Sequence, residues 1–134
     1  MSLQLSGGVR DAQNDAIEST SGASPKLQLR TGAPPANCAA ADTGTLLCEI
    51  ALPADLLAAS VGGVKAKSGT WQGNGVAAGN VGHFRVKDSA GTTTYIQGTV
   101  TATGGGGDMT MDNVNVAVDQ QVTVNTFQLT AGNA

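Results

Sequence analysis

The chain has 134 residues, 40% of them hydrophobic, and a formal net charge of −3. That is one domain's worth of sequence with enough apolar residues for a core, and its balance lacks the positive charge of a nucleic-acid-binding face. No run of about 18 apolar residues is available to span a membrane as a helix, and no basic stretch leads into an apolar one at the N-terminus, so neither a membrane partner nor a secretory signal is expected.

Residues 1–24 read as an arm carrying a short helix of about three turns. Val9, Ala12, Ala16 and Ile17 recur at helical spacing between Gly8 and Gly22, while Arg10, Asp11, Asn14, Asp15 and Glu18 fall on the other face. So short a helix is marginal alone in water. Its apolar stripe is therefore expected to dock, on this domain or on another subunit. Residues 19–25 read as a linker, with Gly22 as the helix stop.

Residues 25–134 form the second unit, and there the hydrophobic period changes to two. Leu27 and Leu29 alternate with Lys26, Gln28 and Arg30 until Pro34 and Pro35, which cannot sit in a ladder. A loop over 36–44 leads to a strand with Leu46, Cys48, Ile50 and Leu52 on one face, stopped by Pro53. Residues 54–60 have room for one helical turn. Val64 and Ala66 then alternate with Lys65 and Lys67, and Gly73-Asn74-Gly75 is a turn signal. Residues 76–82 read as a loop or an edge strand. Residues 83–88 predict a clear strand with Phe84 and Val86 inward and Arg85 and Lys87 outward. A turn over 88–91 makes a hairpin with a long strand over 92–103, where Gly98 signals a bulge or a close backbone approach. Glycines 104–107 break the chain before Met109 and Met111. In the last strand, 121–130, Val122 and Val124 hold one phase and Phe127 and Leu129 the other, which predicts a bulge near Asn125-Thr126. Short strands between glycine and proline turns predict a mainly β fold, an antiparallel β-sandwich with a short N-terminal helical arm. With four aromatic residues in all, the core is expected to be thin and aliphatic.

Few residues suggest chemistry. His83, the sole histidine, lacks a nucleophile motif beside it and reads as a partly exposed strand residue. Cys38 and Cys48 lack a second Cys or His pair for zinc, and Cys48 shares its face with Leu46 and Ile50 as a small core hydrophobe. The glycine run lacks the Lys and Ser/Thr of a phosphate loop, and Asp108, Asp112 and Asn113 match no EF-hand spacing. No catalytic residue, cofactor or metal is expected. Lys65 with Lys67 and Arg85 with Lys87 read first as solvated sheet faces, and second as salt-bridging positions toward an acidic partner.

Several stretches carry a family resemblance. They are Lys26-Leu27-Gln28-Leu29-Arg30 running to Pro35, Gly44-Thr45-Leu46-Leu47, Ala66-Lys67-Ser68-Gly69-Thr70-Trp71 and His83-Phe84-Arg85-Val86 before Asp88-Ser89-Ala90-Gly91. Gln97-Gly98-Thr99-Val100, Gly106-Gly107-Asp108-Met109 and the closing strand to Thr130 continue the pattern. Together they resemble small virion structural proteins of tailed bacteriophages, similar in kind to jelly-roll cement or decoration proteins. The resemblance implies a non-enzymatic protein on the outer surface of the virion capsid, made in the host bacterial cytoplasm. Its partners would be the major capsid protein and its own copies, as a homodimer or homotrimer, with no nucleic acid or membrane. The expected contacts are Val9, Ala16 and Ile17 on the arm, Pro34, Pro35, Gly105, Gly106 and Asp108 in loops, and Lys65, Lys67, Arg85 and Lys87 toward an acidic capsid surface. A tail or head-fibre component binding a host surface is the alternative, with Trp71 as its one recognition candidate. A small enzyme or carbohydrate-binding module is a third, opposed by the lack of a convergent set of titratable groups.

Overall fold

The computed structural model describes residues 3–22, 24–53 and 55–132. Among them the fold is mainly β, with one helix, α1 (Gly7–Ser21). Ser6 caps it, its hydroxyl accepting from the Val9 amide at 3.3 Å, and Gly22 ends it at a φ of 76°. The helix runs to Ser21, four turns rather than three, and takes the first part of the expected linker.

The strands are β1 (Lys26–Thr31), β2 (Leu46–Ala51), β3 (Val64–Ala66), β4 (Trp71–Asn74), β5 (Gly79–Lys87), β6 (Thr94–Ala102), β7 (Met109–Met111), β8 (Asn115–Val116) and β9 (Gln121–Thr130). They form one sheet in the order β2-β1-β5-β6-β7-β9-β3, with β4 also paired to β9 and β8 to β5. The sheet curls until β4 lies alongside β2, where Cys48 bridges Gly75 and the Val76 amide donates to the Leu47 carbonyl at 2.8 Å. Gly73 permits that approach, since a Cβ there would stand 3.0 Å from Ile50 Cγ1.

The sheet is mixed rather than wholly antiparallel, because β6 and β7 run parallel. Parallel neighbours usually need a crossover of a dozen or more residues. Here Val100 pairs with Met109 and Ala102 with Met111, so residues 103–108 double back over a short distance. Gly104 and Gly106 make this possible by adopting φ values of 87° and 82°, which side-chain-bearing residues rarely take.

Strand β9 organises the core. Its first half pairs with β4 and its last residues with β3, while β7 runs along the other side. Thr110 pairs with Thr126 but Met111 with Val124, so Asn125 is the extra residue of a bulge. The bulge sits where the hydrophobic phase slips in the sequence. It lets Val122, Val124 and Phe127 all reach the interior. Phe127 also joins the aromatic residues into one cluster, its ring centroid 5.7 Å from Trp71 and 5.4 Å from Phe84, the latter edge to face. The core therefore has an aromatic centre rather than a purely aliphatic one.

Other local expectations change for tertiary reasons. Residues 73–75 are not a turn: β4 runs through Asn74 and is held open by β9. Residues 55–60 form no helix; Leu57 instead bridges Lys67 and is buried, while Ala54 lies outside the described residues. Gly98 makes room for side chains rather than for a backbone or a bulge, a Cβ there standing 2.8 Å from Asp108 Oδ2 and 2.9 Å from Phe84 Cε1.

Candidate functional site

Three of the strand cations do not face solvent. Arg85 is 1% exposed, and Lys65 and Lys87 are 5% exposed each. The expectation of solvated faces at 65, 85 and 87 is thus overturned, for two distinct structural reasons.

Along β5 the cause is a covering loop. Residues 32–44 leave the sheet and return at a neck where the Thr31 amide donates to the Thr45 carbonyl at 3.1 Å and the Thr45 amide to Thr31 Oγ1 at 2.9 Å. Such a compact loop with adjoining ends is an Ω-loop. It lies on the outer side of β5, opposite the side on which Phe84 and Val86 meet the core. His83 Nδ1 lies 2.9 Å from the Gly32 carbonyl and so carries the proton. Arg85 Nη2 donates to the Cys38 carbonyl at 3.0 Å, and Arg85 Nη1 to Asp42 at 2.6 Å. Lys87 Nζ donates to Asp42 at 2.5 Å, and Gln97 Nε2 to the Pro35 carbonyl at 2.8 Å. Arg30 reaches Asp42 at 3.3 Å. Partial burial pushes the Asp42 carboxyl up, but the hydrogen bonds from Lys87 and Arg85 and the charge of Arg30 outweigh it and hold it below the usual carboxylate range. His83, expected to be partly exposed, is fully buried beneath the same loop.

At Lys65 the cause is α1. The helix docks by its polar face, the reverse of the expected stripe. Asn14, 1% exposed, donates to the Gly63 carbonyl at 2.9 Å. Asp11 accepts from the Gly63 amide and from Ser60 Oγ, both at 2.8 Å, and these bonds hold its carboxyl below its ordinary value. Arg10 Nε donates to the Ala131 carbonyl at 3.0 Å. Lys65 Nζ meets Asp15 and Glu18, each at 2.9 Å. Burial lowers the lysine's pKa, yet the two carboxylates together raise it above its usual value. Val9 is 47% exposed, Ala16 is exposed, and Ile17 is half-buried beside Tyr95 in a shallow apolar pocket.

The remaining expected contact residues separate. Within the Ω-loop Pro34 is half-buried and Pro35 buried. Gly105 and Gly106 are exposed at the parallel connection. Asp108 is exposed but engaged, accepting from the Thr99 amide at 3.0 Å and its hydroxyl at 3.1 Å. Lys67 donates to the Gly69 carbonyl at 2.7 Å, lies 5.8 Å from the Trp71 ring centroid, and shares a cleft with Asp108 beside β9. Trp71 is fully buried, its indole N–H donating to the Ser68 carbonyl at 3.1 Å, so it offers no exposed recognition surface. Cys48 is a buried free thiol whose pKa is pushed up to about 11 by burial and the Glu49 charge; Cys38 is a half-buried free thiol.

Sequence reasoning missed Asp42, Asp15 and Glu18 as the partners of these cations. One usable signal was present: Asp42 is the single acid in the long loop that follows a cation-bearing strand. Comparison with known proteins finds no match: no family profile, no curated protein and no solved structure aligns with the chain.

Proposed function

We propose that the chain is a non-enzymatic structural protein of a bacteriophage virion, a cement or decoration protein that binds the outside of the major capsid protein lattice as a homo-oligomer. One observation carries the reading: strand cations are spent on internal ion pairs, while the exposed tips are small and aliphatic. Val61, Val76 and Val118 are 75%, 59% and 59% exposed. Val76 and Val118 stand on adjoining loops tied by the Gly75 amide to the Gln120 carbonyl and the Asp119 amide to the Gly75 carbonyl, both at 2.8 Å. Such tips bury apolar area across a subunit seam. A protein that binds the assembled lattice and not its broken form stabilises it by mass action. Repeated contacts around a shell add avidity, so each contact is allowed to be weak. The motif resemblance from Lys26 to Thr130 supports the same reading, and a jelly-roll arrangement of the curled sheet belongs to it.

The test is rebinding to heads stripped of the protein, read by co-sedimentation and by the temperature of DNA release. Wild-type protein is expected to saturate the heads and raise that temperature. A Val76→Asp/Val118→Asp double variant with an unchanged fold is expected to do neither. Equal rebinding by the variant would refute the role given to these tips, and no binding by wild type would refute the reading itself.

A further inference from the structure

Beneath the Ω-loop, positive charge exceeds negative charge. Arg30, Arg85 and Lys87 converge on the one carboxylate of Asp42. The other acids nearby are engaged elsewhere. Glu49 takes Lys26 and Gln28, and Asp88 takes the amide and hydroxyl of Thr92. Arg85 and Lys87 line a cleft of about 640 Å³ between residues 38–42 and 92–94. Thr93 and Thr94 supply hydroxyls along one wall, and three consecutive alanines, Ala39, Ala40 and Ala41, keep the other wall low. A second observation points to a ligand. Arg85 is 1% exposed and its Nε has no hydrogen-bond partner among the described residues. Buried polar atoms are nearly always paired, and excess buried charge is costly unless compensated.

We propose that this cleft binds a small oxyanion, for which inorganic phosphate is the type ligand. The Lys87 ammonium and the Arg85 guanidinium supply the charge, the Thr93 and Thr94 hydroxyls supply further donors, and Asp42 is the resident carboxylate with which the ligand competes. Arg and Lys donors to oxyanions make the stronger, charge-assisted class of hydrogen bond. The site does not depend on the capsid reading.

The probe is inorganic phosphate, titrated into the whole protein at low salt and followed by amide chemical shifts, with chloride at matched ionic strength as the control. Saturable shifts are expected at residues 38–42 and 92–94 with phosphate and not with chloride. Asp42→Asn removes the competing carboxylate and is expected to bind phosphate several-fold more tightly, with a larger phosphate-induced rise in Tm than wild type. Lys87→Gln keeps most of the stem and is expected to bind at least ten-fold more weakly. Should Lys87→Gln unfold, the wild-type and Asp42→Asn titrations still decide. Shifts equal in phosphate and chloride, or an Asp42→Asn affinity no tighter than wild type, overturn the proposal.

Discussion

At the scale of single residues, the interior cations depend on a few carboxylates. Asp42 answers to Arg85 and Lys87 at once, and truncating it would leave two buried charges without their acid. Breaking such a pair is far costlier than never having built it. Because Asp42 keeps some exposure, Asp42→Ala is expected to cost about 2 kcal/mol, less than the roughly 3–5 kcal/mol of breaking a fully buried pair, measured by urea unfolding at neutral pH. The folded pKa of Asp42 is depressed, so its contribution is present above the ordinary value of 3.8 and is lost as pH falls through the folded value. Wild type and variant should therefore converge in stability on acidification. Gly98 depends on space alone. Its φ is not in the left-handed region, but an added methyl would press on Phe84 and Asp108. Gly98→Ala is expected to lower stability by about 1–3 kcal/mol, as overpacking does, with the same unfolding measurement as the check. The need for space at Gly98 was legible in the sequence, because a glycine inside a strand weakens it unless the chain bulges or a neighbour needs the space; that side chains rather than a backbone take the space was not. The burial of Arg85 and Lys87 was not. Strand alternation says which face a side chain takes and is silent on whether a loop covers that face.

At the scale of elements, local pattern carried information where neighbours agreed with it. The period-two stretches at Leu27–Leu29 and Phe84–Val86 became β1 and β5, paired with Leu29 opposite Phe84. The phase slip in β9 marked a real bulge at Asn125. Pattern failed where partners from afar decided the outcome. Gly73-Asn74-Gly75 has turn chemistry, yet β9 holds it extended. The glycines at 104–107 suggest only a break, and nothing local says that the next strand returns parallel. Helix α1 is the sharpest case. Its apolar stripe is weak, whereas Arg10, Asp11, Asn14 and Glu18 each find a partner on the sheet side. Its attachment is thus polar and ionic. Lys65→Met is expected to speed amide hydrogen exchange across residues 7–21 while leaving β1, β5 and β6 protected. Unchanged protection of the helix would show that Lys65 does not anchor it. High salt should act in the same direction, since Asp15 is largely exposed and its pairing is open to screening.

At the scale of the whole molecule, a small chain has been covered on two sides. The Ω-loop seals the polar face of β1, β5 and β6, and α1 seals the end of the sheet near β3. Both covers are fastened by ion pairs, while the core is held by the Trp71, Phe84 and Phe127 cluster and its aliphatic shell. The arithmetic of the sequence, few charges and many glycines, acquires a physical sense here. Among the described residues most cations have an internal partner, and several glycines lie where backbones meet. The outside includes a set of aliphatic tips, which suits the proposed covering of a seam. Imaging the virion at residue resolution tests that role most directly. The expected result is this fold in regular coverage over the outside of the shell, with Val76 and Val118 against a capsid subunit or a second copy. Density confined to the tail, or none on the particle, would contradict it.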